Sequence, residues 1–444
     1  MTDPVQPASA TATTESHSCS DRIAEPVHSW DLVVVGGGAA GFMAAITAAE
    51  EGVGRVLVVE ATPEPLKKVR ISGGGRCNVT HACWDPTELT GHYPRGQRPL
   101  RGPFSRFAAG DAVAWFADRG LELVTEPDGR MFPQANDSSA VIRCLRDAAH
   151  SRGVVVETGV LVRSVERLAR GGFAVHCRGE HHYPSKRVLL STGGHPSGRR
   201  MADQLGHRLI QSVPSLFTLA LQAPELKECS GVALDGVALT LQLQGKRFHQ
   251  QGRVLITHWG LSGPALLRLT AFAARALHEE DYKGTLRVSW CGDQRQQDFA
   301  DALQDLRQNC ARRTLLAARP MPEQLPRRLW LAILQDAGAD PDLRWADCPR
   351  RIEKGLLSRL NESVYPIKGR GPFGEEFVTA GGVDLGEINL STMESRICSG
   401  LHVAGELLDV DGVTGGFNFQ HCWTSGWLAG QAVAAALTGS DRTR

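Results

Sequence analysis

Residues 31–60 read DLVVVGGGAAGFMAAITAAEEGVGRVLVVE: an apolar run, a glycine turn, a helix of small residues and a second apolar run in immediate succession. Gly36, Gly38 and Gly41 have the spacing G-x-G-x-x-G, with Ala39 and Ala40 between the last two. In a strand, turn and helix unit the first glycine makes the tight turn and the second lets a pyrophosphate approach the backbone. The third lets helix and strand pack closely. Free N–H groups at the start of the helix then face the phosphate. Glu60 closes the second run, where an acid accepts the ribose hydroxyls of a bound dinucleotide. The alternative, taking this stretch alone, is a glycine-rich turn of some other α/β domain.

More distant segments decide between a short and a long dinucleotide. GVVVETGVLVRSVE (153–166) reads as a strand near which an adenine packs, with Val162 as a backbone contact. RVLLSTGG (187–194) is an apolar strand ending in Thr192, Gly193 and Gly194. GLHVAGELLDVDGVTGGFNFQHCWTSGWLAGQAVA (400–434) gives a strand, then Gly405 and Glu406, paired glycines at 415 and 416, Phe417 and Asn418, and a helix. Glycine-marked strand ends so far apart in the chain require a long ligand, which favours FAD over NAD. The loop ISGGGRCNVTH (71–81) adds three consecutive glycines, Gly73 to Gly75. Such a triplet marks positive φ angles or a ligand lying against the main chain.

Bulk properties set limits. A chain of 444 residues exceeds one hydrophobic core. With 42% hydrophobic and 22% charged residues it has the composition of a globular protein, and a net charge of +1 supplies no overall attraction to nucleic acid or membrane. No apolar run is long enough to span a bilayer. Eleven cysteines without a C-x-x-C pair point to a reducing, cytoplasmic setting. Residues 1–29, rich in Ser, Thr, Ala and Pro, read as a disordered tail; Asp3, Glu15, Asp21 and Glu25 disfavour a transit peptide. From about Met201, alternating stretches such as GVALTLQLQG and RVLITHW predict short antiparallel strands, and residues 297–364 read as helices.

LKKVRISGGGRCNVTH, THWGLSGPALL (257–267), VTAGGVDLGEINLSTMESR (378–396) and GELLDVDGVTGGFNFQ together resemble the BaiN/RdsA family of bacterial FAD-dependent oxidoreductases, also described as aminoacetone-oxidase-like flavoproteins. The resemblance runs from about Asp31 to Leu437. It implies an α/β fold with a Rossmann-type FAD-binding domain split in sequence, interrupted by an antiparallel β-barrel-like and helical insert. The expected organisation is a tail over 1–29, FAD-binding domain over 30–198 and 373–444, a β-rich insert over 199–292 and a helical region over 293–372.

The resemblance also implies non-covalent FAD beside the glycine loop, where Lys68, Ser72, Cys77, Arg76 and Asn78 lie, the last two donating near the flavin or pyrophosphate. Asp411 joins the cofactor loop; a metal role for Asp409 and Asp411 is the alternative, disfavoured by the flanking glycines. Only one G-x-G-x-x-G is present, so an NAD(P)H donor would dock transiently. Cys77 and Cys83 resemble a redox pair, but five residues intervene where the disulfide reductases have four, so buried or loop cysteines are the favoured reading and a redox disulfide the alternative. The implied chemistry is hydride transfer to a conjugated C=C bond, either a uracil ring of 23S ribosomal RNA or a small enone. Candidate proton donors are His258, Tyr365 and His195. Glu394 and Arg396 read as an interdomain ion pair. The clusters Lys67, Lys68 and Arg70, then Arg95, Arg98, Arg101 and Arg106, then Lys368 and Arg370 are candidate RNA contacts, with solvated surface charge as the alternative. An amine oxidase and a non-catalytic FAD module are the competing functions. The segment 193–207 is shorter than the family pattern and carries His195, which leaves open what covers the flavin on that side.

Overall fold

A computed structural model describes residues 30–439 apart from 180, 322, 324 and 373–377; the expected tail over 1–29 lies outside the described residues. The sheet that organises the chain has five parallel strands in the order Leu401–Val403, His182–Leu190, Trp30–Val35, Val56–Glu60 and Val155–Thr158. Val34 sits between Leu189 on one side and Val58 on the other. Leu32, Val33 and Val34 are fully buried, as strands covered on both faces must be. The strand Leu401–Val403 completes this sheet only when the chain returns from the insert, so the domain is split in sequence. An antiparallel hairpin, Val162–Arg167 and Phe173–Cys177, extends the sheet from His182–Leu190.

The helix Ala39–Glu50 packs along the C-terminal helix Phe417–Thr438. Small residues set their approach: a Cβ added at Gly426 would lie 2.4 Å from the Ala40 carbonyl oxygen, and one at Gly430 would lie 2.6 Å from that of Ala44. The turn that the first helix carries is therefore braced by the last helix of the chain.

Leu209–Ser215 and Val378–Val383 pair antiparallel and form a two-stranded stalk by which the chain leaves the FAD half and returns. Beyond it lies a closed six-stranded barrel: Leu219–Leu221, Gly260–Ser262, Lys246–Thr257, Ala233–Leu243, Gly284–Ser289 and Ser363–Arg370. Alternating Leu239 and Leu241, Val254 and Ile256, and Leu286 and Val288 point inward, giving the insert a core of its own. The helix Pro264–Glu279 lies between barrel and FAD half, and the helices Gln296–Asn309, Arg327–Asp336 and Arg350–Glu362 pack on the barrel's far side. Buried Trp330 and Trp345 donate their indole N–H groups to the Leu315 and Ala318 carbonyls.

The barrel's closing strand Ser363–Arg370 falls within the stretch expected to be helical. This strand corrects the reading of Tyr365 as a proton donor to the cofactor. Its ring is buried in the barrel core, edge-on to Trp290, and burial pushes its hydroxyl above the usual phenol range.

Gly430→Val should destabilise the protein by about 1–3 kcal/mol, because the new side chain forces two helices apart. Exposed Gly110, inside the helix Ala109–Ala117, has nothing within 4 Å of an added Cβ. Gly110→Ala should be stabilising by about 0.5–1 kcal/mol. Denaturant unfolding of the two variants would show both signs.

Candidate cofactor site

The glycine turn after Trp30–Val35 is built for close approach. Gly36 has φ +109°, and a Cβ there would lie 2.7 Å from the Ser191 carbonyl oxygen; one at Gly41 would lie 2.2 Å from that of Gly36. Gly38 differs: an added Cβ meets no protein atom within 4 Å. The protein's own packing thus requires glycine at 36 and 41 but leaves open space at 38, where a pyrophosphate fits. Glu60 is held by backbone donors, its Oε2 accepting from the Gly37 N–H (2.8 Å) and its Oε1 from the Thr62 N–H (2.8 Å). The acid is fixed at the strand end without a cationic partner among the described residues. Val162, expected at the adenine end, is buried opposite Cys177.

Two further strand ends meet this turn. Gly193 has φ +62°, and a Cβ there would lie 3.5 Å from Glu406 Oε2; that oxygen pairs with Lys68 Nζ at 2.5 Å. Gly194 lies beside the Thr379 hydroxyl. Thr192 Oγ1 is buried without a hydrogen-bond partner. Gly405 has φ +71°, and its N–H donates to Ser425 Oγ. An open glycine cradle and a fixed acid, brought together with strand ends from distant parts of the chain, fit an extended dinucleotide such as FAD.

The triplet at 73–75 is explained by backbone conformation. The helix beginning at Lys67 breaks at Ser72 (ψ 151°), and Gly73, Gly74 and Gly75 follow at φ +57°, +69° and +87°. Such a left-handed run is strained for residues bearing side chains. Cys77 also has positive φ, +62°, and its N–H donates to the Ser72 carbonyl (3.0 Å).

The expected donors of this loop make contacts within the protein. Arg76 pairs with Glu126 (2.7 Å) and lies 3.9 Å over the Phe132 ring, so its charge is neutralised locally. Asn78, with its amide oriented to satisfy its neighbours, donates to the Thr80 carbonyl (2.9 Å) and accepts from the Gly416 N–H (3.0 Å). In this structure these contacts clamp the 72–81 loop against the 415–418 turn and the strand bearing Phe132. At Gly416 (φ +92°) a Cβ would lie 2.6 Å from the Thr80 carbonyl oxygen. Gly415 lies close against the Phe417 ring, and Asn418 closes the turn by exchanging two hydrogen bonds with the Gly412 backbone.

Other expectations are also revised. Asp411 is fully buried and pairs with Arg95, so Asp411 serves the fold and Arg95 leaves the proposed basic surface. Asp409 pairs with Arg275, at 2.8 Å to each carboxylate oxygen. Among the described residues no group of three or more His, Cys, Asp or Glu is arranged to hold a metal. Glu394 pairs with Arg187 (3.0 Å), not Arg396, whose Nε donates to the Ile388 carbonyl. His195 caps the helix Pro196–Gln204, its Nδ1 accepting from the Ser197 N–H. His258 is exposed at a barrel turn, edge-on to Trp259. All ten described cysteines are free, and burial pushes the Cys77 thiol up to about 12, which keeps it protonated.

The sequence reading missed an aromatic cluster where these loops meet. Phe417 stacks on His92 (4.1 Å between ring centroids) and on His81 (4.8 Å). Burial lowers the His92 pKa to about 4, with the charges of His81 and Arg268 adding to the effect. The only sequence signal was the histidine ending NVTH, beside a loop already read as cofactor-binding.

Comparison with known proteins agrees with this geometry. The family model described as the HI0933-like protein Rossmann domain matches residues 30–432. A 3-dehydro-bile acid delta(4,6)-reductase of Clostridium scindens is 30% identical, covering 90% of this chain and 98% of its own. A ribosomal RNA dihydrouridine synthase of Escherichia coli is 28% identical, covering 92% and 98%. In fold, the chain is similar to the 3-ketosteroid delta1-dehydrogenase of Sterolibacterium denitrificans, with a TM-score of 0.50 at 15% identity, covering 92% of this chain and 100% of that one. No helix among the described residues is long and apolar enough to cross a membrane.

Gly38→Val should leave the unfolding midpoint of the apoprotein unchanged while abolishing FAD retention, measured by absorbance after purification. A second expectation concerns acid. Burial lowers the pKa of His92, His402 and His421 to about 4. The unfolded chain protonates its imidazoles near pH 6.5, before the folded protein does. Stability from these groups is therefore complete above about pH 6.5 and lost as pH falls toward 4. His421→Gln should flatten the decline of the unfolding midpoint over that range; an unaltered slope would place the titration elsewhere.

Proposed function

The chain belongs to the HI0933-like Rossmann family and is an FAD-dependent oxidoreductase; from that premise we propose that it reduces a carbon–carbon double bond conjugated with a carbonyl group. The convergence of the 36–41 turn, the 191–194 strand end and the 405–418 loop into one cradle beside the insert supports the cofactor, and the reactions of the two relatives support the substrate class. FAD, when bound, supplies a hydride equivalent at its N5. Gly38 and the N-terminus of Ala39–Glu50 would hold the pyrophosphate, and Glu60 the ribose.

Both relatives named above support the substrate class. Dihydrouridine is uridine with the double bond next to its C4 carbonyl reduced, and a 3-dehydro bile acid with ring unsaturation presents the same conjugated unit. A small enone and a ribosomal uracil thus share the reacting group. The basic surface available for RNA is smaller than the sequence suggested: Arg95 is buried, and Arg106 bonds the Ser391 carbonyl. Arg98 and Arg101 remain exposed. A nicotinamide donor would dock transiently, since only one G-x-G-x-x-G is present, and this reading too is a proposal.

Anaerobic photoreduction of the purified protein, followed by mixing with an enone, a 23S ribosomal RNA fragment, or oxygen alone, tests the reading. Reoxidation of the flavin absorbance by a conjugated acceptor, with a saturated product, is expected. Reduction of the flavin by amines, with reoxidation by oxygen only, would make the protein an amine oxidase instead.

A further inference from the structure

The seam between the insert and the FAD half carries three arginines, and only two have a counter-charge. On the helix Pro264–Glu279, positions 268, 271 and 275 follow one another at intervals of three and four residues and so share a face. Arg275 pairs with Asp409, and the Ala271 carbonyl accepts from Arg95, which pairs with Asp411. That face docks on the 409–411 loop. Arg268, one turn earlier, has no carboxylate partner among the described residues. Its Nη2 donates to the Gln251 carbonyl (2.9 Å), and its Nε is buried with no partner. Arg268 is half-buried, so its head is partly withdrawn from water, and one hydrogen bond to a neutral carbonyl replaces neither its full hydration nor a counter-charge. The bond to Gln251 does not by itself account for the placement.

The neighbours of Arg268 define what would complete it. Its charge is close enough to His92 to disfavour protonation of that imidazole. His92 lies against Phe417, and Phe417 against His81. His81 Nε2 is 3.1 Å from the Asp128 carbonyl oxygen, which assigns it the proton in the neutral ring. His81 Nδ1, buried and without a partner, is then left as an acceptor. An uncompensated cation thus lies within electrostatic range of a stack of flat rings that carries a bare acceptor.

We propose that Arg268 binds the anionic oxygen of a planar conjugated substrate against the His92, Phe417 and His81 stack. The proposal rests on the reductase reading above and adds the residue that recognises the substrate. When a hydride adds to the carbon β to a carbonyl, the C=C electron pair moves to the carbonyl oxygen, and the enolate is later protonated at carbon by water. Arg268 meets the oxygen on which that charge develops, and a fixed guanidinium in a part-dry seam stabilises it more than water does.

A phenolate is a stable mimic of such an oxygen, so 4-nitrophenol is the probe. Titrated in the presence of the holoprotein, it should ionise at lower pH than free in solution, because the anion is the form bound. Arg268→Met should weaken 4-nitrophenolate binding by about tenfold or more, the loss of one charge-assisted hydrogen bond. Binding of the protonated phenol should stay within about threefold, and Arg268→Lys should recover part of the preference. FAD content and the unfolding midpoint establish that the variants are folded. Equal phenolate binding by wild type and Arg268→Met, or no preference for the anion in wild type, overturns the proposal. If phenolate binding depends on Arg268 but no conjugated carbonyl reoxidises the photoreduced protein, the site stands and the reductase reading falls. The converse pattern spares that reading and removes Arg268 from it.

Discussion

The arrangement of the molecule depends on one buried ion pair. Arg95 donates from Nε and Nη2 to the Asp411 carboxylate, from Nη1 to the Ala271 carbonyl, and from Nη2 to Ser215 Oγ at 3.1 Å. Ser215 Oγ in turn donates to Asp411 Oδ2 (2.8 Å). Those residues come from the first FAD segment, the returning FAD segment, the barrel helix and the stalk. The net contribution of such a pair to stability is small, because burying both charges offsets their attraction. Removing one partner is another matter, costing about 3–5 kcal/mol, since a bare charge remains inside. The pair therefore works as a positional constraint, rejecting arrangements in which insert and FAD half are displaced.

What the sequence disclosed and what it withheld follow from the range of the interactions involved. The strand, turn and helix at 31–60 are local, so their glycine spacing was sufficient. The split domain was legible because RVLLSTGG and GLHVAGELL each look like a strand that needs partners. The barrel was legible in its alternating stretches, but its closing strand was not. SVYPIKGR follows directly on the helix Arg350–Glu362, and its partners Gly284–Ser289 and Leu219–Leu221 lie far back in the chain. Tyr365 was misread for that reason, since the strand assignment is what turns its ring inward.

Polar side chains were harder to read than glycines. A glycine at positive φ states its own requirement, whereas an arginine or asparagine shows that a donor exists and not which acceptor it meets. Arg76 finds Glu126, and Asn78 finds the Thr80 and Met131 carbonyls and the Gly416 N–H. Glu126 and Met131 lie in a hairpin that the sequence reading left unassigned. Arg95 and Asp411 illustrate the same gap over 316 residues of separation: each looked like a surface or loop residue, and only the return of the chain makes them partners.

The seam joins two halves that have separate hydrophobic cores, with only the small cluster of Val213, Ala274 and Ala380 standing apart between them. Directional contacts, Arg95 to Asp411 and Arg275 to Asp409, thus set its geometry more than apolar area does. Apolar burial is non-directional and tolerates sliding, whereas the Arg275–Asp409 ion pair and the hydrogen bond from Arg95 to the Ala271 carbonyl, both on one helix face, fix translation and rotation of that helix. A second cation on the same face, Arg268, is then held at a defined place without a carboxylate partner among the described residues. Its neighbours Phe417 and His92 are fixed too, since the Tyr93 hydroxyl donates to the Phe417 carbonyl at 2.6 Å and the Val413 N–H to that of His92 at 2.9 Å. Rigid placement of an unspent charge is what an anionic transition state needs, because the protein then reorganises little as the charge appears.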